Sequence, residues 1–171
     1  VRQRCISGGG ECGRDGGCSD LVLETEPSVW RDYLGTHGAK RSLRPDLGVR
    51  LSVSGQQLVW FVEVDRGTEG LGRIRAKGRQ YLEYWRTGQE QQRLGGVFPK
   101  VLWSVPDQRR RELLLRSLGE LPPPAGEMFV VSTAERSAAV LTCQGAGFKD
   151  VAGRREQGLS LIHISEPTRP Y

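Results

Sequence analysis

An α/β fold, with a mixed sheet flanked by helices, is predicted by three features of this 171-residue chain. Two alternating apolar runs, "DLGVRLSV" and "LVWFVEVD", are separated only by "SGQQ", the pattern of an antiparallel hairpin. Directly after them the apolar spacing changes from two to three and four, the mark of an amphipathic helix. Strand, helix and strand then alternate to about residue 133. Antiparallel strands followed by helix, strand, helix, strand require one sheet of mixed direction with helices against it.

Each element has its own local reason. "DLVLETE" is a short strand bounded by Pro27, and "PSVWRDYLG" is expected to be a helical turn or short helix opened by Pro27 and stopped by Gly35. "THGAKRSLRP" is expected to be a basic loop. Leu47, Val49, Leu51 and Val53 share one strand face. In 69–87 the residues Leu71, Ile74, Gly78, Tyr81, Leu82 and Trp85 form one stripe, and Gly88 closes the helix. "FPKVLWSV" is a third strand, "DQRRRELLLRSLGEL" a second helix ending before "PPP", and "EMFVVST" a fourth strand.

Both ends stand apart from this pattern. Residues 1–19 hold three of the four cysteines among glycines without an apolar period, so they are expected to be flexible. Cys5, Cys12 and Cys18 are seven and six residues apart, which fits no usual zinc pattern. No apolar leader is present and no run nears the roughly 18 residues of a membrane span, so a cytoplasmic location with free thiols is expected. At the other end, Leu159 to Arg169 matches, codon by codon, the translation of a transposase-based sequencing adaptor. Residues 159–171 are therefore expected to lie outside the fold, with the natural C-terminus missing, and the start at Val1 suggests that the chain begins mid-gene. The charge of +5, from 25 basic against 20 acidic residues, is a mild excess compatible with a polyanionic partner.

Chemistry concentrates where the greasy run ends in Glu63 and Asp65. Two residues apart on a strand, these carboxylates point to one side, about 6.8 Å apart. Asp46 lies at the start of the preceding strand, which the hairpin folds back alongside them. Three converging carboxylates would raise one another's pKa. A Mg²⁺ or Mn²⁺ ion would remove that conflict and supply an activated water. On the following helix Arg73, Lys77, Gln80 and Tyr84 form a polar stripe. Lys77 could stabilise developing negative charge there, and Gln80 and Tyr84 could hold a substrate backbone.

Quoted together, "RPDLGVRL", "WFVEVDRGTEGLGRIRAKGRQYLEYW" and "FPKVLWSVPDQRRRELL" resemble the replication-relaxation family of bacterial plasmids and mobile elements, most abundant in actinobacteria, over about residues 24 to 133. The resemblance implies a role in plasmid replication and DNA relaxation, and a core similar to the PD-(D/E)XK nucleases. That pattern falls on Asp46 and Glu63, with Asp65 standing where a lysine is usual. Lys77 matches a lysine moved to the helix, and Gln80-x-x-x-Tyr84 is similar to a motif of RecB-type nucleases. The resemblance further implies a winged-helix domain upstream of residue 24, which residues 1–19 are too short to form. The expected organisation is a flexible segment at 1–19, a truncated nuclease-like domain at 20–158, and the adaptor-like 159–171.

Two functions follow. One is metal-dependent DNA cleavage or nicking, in which Asp46, Glu63 and Asp65 hold Mg²⁺ or Mn²⁺ and Lys77 stabilises the transition state. The other is a non-catalytic accessory that binds DNA or other plasmid replication proteins. DNA contacts would come from Arg73, Gln80 and Tyr84, from Lys40, Arg41 and Arg44 in the basic loop, and from Arg109, Arg110 and Arg111, although a triple arginine is more often a solvated helix face. A tyrosine relaxase needs a histidine cluster, and setting aside His163 leaves only His37. Ser/His/Asp and Cys/His triads fail on the same count. "GECGRDGG" joins no strand to a helix, so it makes no phosphate loop. Oligomeric state is not encoded in any pattern found.

Overall fold

The computed structural model describes residues 3–4, 18–53 and 56–142. Its main sheet has six strands in the order β1-β2-β5-β6-β7-β8. These are β1 (Gln3–Arg4), β2 (Cys18–Glu24), β5 (Leu47–Val53), β6 (Gln56–Val64), β7 (Lys100–Val105) and β8 (Phe129–Thr133). The first four strands run antiparallel to their neighbours, whereas β6, β7 and β8 are parallel, so the sheet is mixed as the sequence predicts. The hairpin register places Val49 opposite Trp60 and Leu51 opposite Leu58. This puts the alternating apolar residues of both strands on one face.

Helices α1 (Leu71–Arg86) and α2 (Gln89–Arg93) connect β6 to β7, while α3 (Gln108–Gly119) and α4 (Ala125–Met128) connect β7 to β8. Helix α5 (Ala134–Leu141) follows β8. One face of the sheet, with Phe61, Val101, Trp103, Phe129 and Val131, packs on α1, α3 and α4. The other, with Val49, Leu51, Trp60, Leu102 and Val130, packs on Val140 of α5. Helix α1 buries Ile74, Gly78, Tyr81, Leu82 and Trp85, five residues of the expected stripe. A Cβ at Gly78 would meet Leu121 Cδ1 at 2.6 Å and Leu118 Cδ2 at 3.1 Å, so glycine sets how closely α1 approaches the end of α3. Arg111 of α3 reaches across to β8 and donates from Nε to the Val131 carbonyl at 3.0 Å.

Residues 27–45 differ from expectation. The predicted helical turn ends by Val29 and is followed by a strand, β3 (Arg31–Leu34). The predicted loop contains a 3₁₀ turn, Thr36–Gly38, and a second strand, β4 (Lys40–Leu43). The two strands form a separate antiparallel pair, with Tyr33 opposite Arg41. The reason is visible in β3: Arg31 and Tyr33 are buried while Asp32 and Leu34 are exposed, a period-two pattern hidden in the sequence because one inward residue is charged. Arg31 tolerates burial because it donates to Glu24 at 2.8 Å and to Glu90 at 3.0 Å.

The sheet also takes in parts of the segment expected to stay apart, since Gln3 and Arg4 pair with Leu23 and Val22, and Cys18 with Val53. Cys5, Cys12, Cys143 and residues 159–171 lie outside the described residues. Among the described residues no helix is long and apolar enough to cross a membrane.

Candidate nucleic-acid interface

Glu63 is the next-to-last residue of β6, on the strand face that also carries Phe61 and therefore meets α1. It is 2% exposed. Lys77 of α1 donates to its Oε2, and the Tyr81 hydroxyl donates to Oε1 at 2.5 Å. Burial pushes the Glu63 carboxyl up to about 7. Lys77 and Tyr81 oppose that rise, and the charge of Asp46 adds to it.

Asp46 immediately precedes β5, whose first residue Leu47 pairs with Val62. Its carboxylate is exposed and accepts the Val64 amide at 2.7 Å, so it caps the end of β6. Asp65 has a different partner. Arg110 of α3 donates to it from Nε at 2.5 Å and from Nη2 at 3.1 Å, and the Gly67 amide donates at 3.0 Å. Gly67 has φ +79°, which the tight connection into α1 requires.

The same-face expectation for Glu63 and Asp65 therefore holds, but the expected three-carboxylate cluster does not form. Glu63 turns to α1, Asp65 to α3, and Asp46 to the β6 backbone. Among the described residues no group of three His, Cys, Asp or Glu could hold an ion. A Mg²⁺ or Mn²⁺ ion there would have to compete with Arg110 for both oxygens of Asp65 and with Lys77 for Glu63.

Beside Lys77 an open groove of about 780 Å³ runs along α1. Arg73, Lys77, Arg79, Gln80 and Arg86 line it from the helix, and Arg41 lines it from β4. Gln80 donates to the Ser42 carbonyl at 2.8 Å, tying β4 to α1. Glu83 accepts from the Tyr33 hydroxyl at 3.0 Å and the Thr36 amide at 3.2 Å, which fixes the turn between β3 and β4 against the helix. That contact needs Gly35, where a Cβ would lie 2.6 Å from Glu83 Oε1.

A family model described as replication-relaxation matches residues 11–101, more than half of the chain. The chain belongs to the replication-relaxation family. Membership points to a replication-related function. No curated protein and no solved structure matches it. The matched segment contains Asp46, Glu63, Asp65, all of α1 and the β3–β4 pair, and it ends before α3 and Arg110.

Other expected contact residues divide sharply. Arg73 is 77% exposed at the groove, with Glu69 beside it at 3.7 Å. Lys40 and Arg44 are exposed, and the Arg44 guanidinium stacks 4.4 Å over the Trp30 ring. Tyr84 does not face the groove: it is 1% exposed, and its hydroxyl donates to Glu90 at 2.5 Å. Its place on the polar stripe is covered because α2 folds over the end of α1. The triple arginine is not a solvated face throughout, since Arg110 and Arg111 both turn inward.

Arg79 and Arg86 carry no expectation from the sequence, which places Tyr81 in the apolar stripe and Arg110 among phosphate contacts rather than beside Glu63 and Asp65. Tyr81 stands one turn beyond Lys77, on the side that meets Glu63. Arg110 carried a signal: three cations crowd the first turn of α3, where they oppose the helix dipole, and the one acid there, Asp107, is used as the N-cap. Such a run calls for a carboxylate partner elsewhere in the chain.

Proposed function

We propose that this chain binds the phosphate backbone of DNA during replication of a plasmid or other mobile element, with α1 and β4 as the binding surface. The observation that carries this reading is the groove, where Arg41, Arg73, Lys77, Arg79 and Arg86 gather along one helix and the strand beside it. Gln80 anchors the strand and helps fix the groove's shape. The antiparallel β2-β5-β6 set followed by α1 and parallel β7 supports a core of PD-(D/E)XK nuclease type. With Asp65 held by Arg110, that core acts here without cutting, in the cytoplasm and alongside other replication proteins. Fluorescence anisotropy of a labelled duplex should show log K falling against log salt with a slope of about −3 to −4, the value for four contacted phosphates. A slope near zero would remove the groove as a DNA site.

A second reading, metal-assisted nicking through Asp46, Glu63 and Lys77, is favoured by the contact of Lys77 with a buried carboxyl at a strand end. It forecasts relaxation of supercoiled plasmid in Mg²⁺ or Mn²⁺ that EDTA and Glu63→Gln both abolish. Under the first reading plasmid stays supercoiled in all three conditions.

A further inference from the structure

The pair made by Asp65 and Arg110 is more closed than its neighbours. The side chains are 1% and 12% exposed. The guanidinium fork covers both carboxylate oxygens, and its Nη2 also donates to the Glu69 carbonyl at 2.6 Å. One side chain thus neutralises Asp65 and pins the connection between β6 and α1. A guanidinium stays charged at any ordinary pH, so the contact is permanent, and its fork geometry matches a carboxylate where a lysine would supply only a point charge. Lys77 does the corresponding work at Glu63. Each inward carboxylate at the end of β6 therefore has its own cation from a different helix.

We propose that Arg110 is a built-in counter-cation that takes the place of a metal ion at Asp65, which leaves the groove beside α1 independent of divalent metal. The proposal rests on the DNA-binding reading for the groove's role and adds that the acidic end of β6, which the groove reaches through Lys77, is neutralised from within. Its test reads melting temperature, not DNA, so the two can fail separately.

The whole chain is melted with Mn²⁺ and with EDTA, and the expected shift between them is below about 1 °C, since a ligand without a site on the folded state gives no linkage. A rise on the order of 5 °C with Mn²⁺, lost in Asp65→Asn, would mean that metal displaces Arg110, and the proposal falls. Arg110→Met should lower the melting temperature by roughly 10 °C, because it leaves a buried charge alone. Arg110→Met with Asp65→Asn should recover at least half of that loss, and this double variant keeps the test open should the single one fail to fold. Arg110→Lys, which keeps the charge but not the fork, should lose clearly less than Arg110→Met. If the double variant is no more stable than Arg110→Met, or if Lys does no better than Met, neutralisation is not what Arg110 supplies.

Discussion

Two tyrosines three residues apart on α1 each donate a 2.5 Å hydrogen bond to a buried glutamate, yet the two glutamates have unlike surroundings. Glu63, the partner of Tyr81, is held by Lys77, which lies at the groove and is 27% exposed. Glu90, the partner of Tyr84, is held by Arg31, itself 8% exposed and also bound to Glu24, and at its outer side by Arg93 at 3.2 Å. Arg31 further donates to the Ser28 carbonyl at 3.0 Å and lies 5.5 Å from the Phe61 ring. One centre meets solvent through an ammonium at the groove, while the other is built around a buried guanidinium and meets solvent only at its rim, through Arg93. Burial of an ionised side chain is thus no sign of function by itself. What distinguishes Glu63 is that the cation holding it lines the groove.

The largest expected effect lies on the closed side. Arg31→Met leaves Glu24 and Glu90 without their shared cation and should cost about 3 to 5 kcal/mol in urea denaturation. The salt dependence of DNA binding by the protein that remains folded should not change. A loss below about 1 kcal/mol would mean that the two centres are less different than they look.

Next comes pH. The Glu63 carboxyl rises from an ordinary 4.5 to about 7 in the folded chain, chiefly through burial. Between those values the unfolded chain releases its proton while the folded chain keeps it. Stability from this group therefore falls as pH rises from about 4.5 to 7 and then levels off, by about 3 kcal/mol in all. Glu63→Gln should flatten that part of the profile, and an unchanged slope in the variant would assign the titration to another group.

Smaller effects separate the tyrosines. Tyr81→Phe and Tyr84→Phe should each lose about 2 kcal/mol, the worth of a hydrogen bond to a charged acceptor. Only Tyr81→Phe should move the pH-dependent fall to higher pH, because Tyr81, unlike Tyr84, helps Lys77 lower the pKa of Glu63. Smallest in stability is Arg73→Ala, expected within about 0.5 kcal/mol of the parent. It should nevertheless reduce the salt slope of DNA binding by about one. Arg93→Ala, made beside Glu90 on the closed side, should leave that slope alone, and equal effects from the two would dissolve the contrast.

Most of the sheet was legible because β5, β6, β7 and β8 carry apolar residues at the period their burial demands, and α1 changes that period in one step. The β3–β4 pair was not legible, since its inward positions include Arg31, whose two carboxylate partners are 7 and 59 residues away. At the candidate site, strand periodicity placed Glu63 and Asp65 on one side, and helix periodicity brought Lys77 to Glu63. The same helix arithmetic put Tyr84 in the groove, which fails because periodicity fixes an angle around α1 and says nothing of what α2 lays over it. Convergence of three carboxylates failed for a similar reason: Arg110 approaches Asp65 from 45 residues further along the chain.

Arg111 has a consequence beyond this site. Among the described residues β8 is the outermost strand on its side of the sheet, and the carbonyl of Val131 within it is taken by a side chain from α3. A bare strand edge is a template on which other chains can add, and a long cationic residue laid against it removes an acceptor and repels a basic neighbour. Two adjacent arginines of one helical turn thus do unrelated work: Arg110 neutralises an interior acid, and Arg111 fills a backbone acceptor of the last described strand.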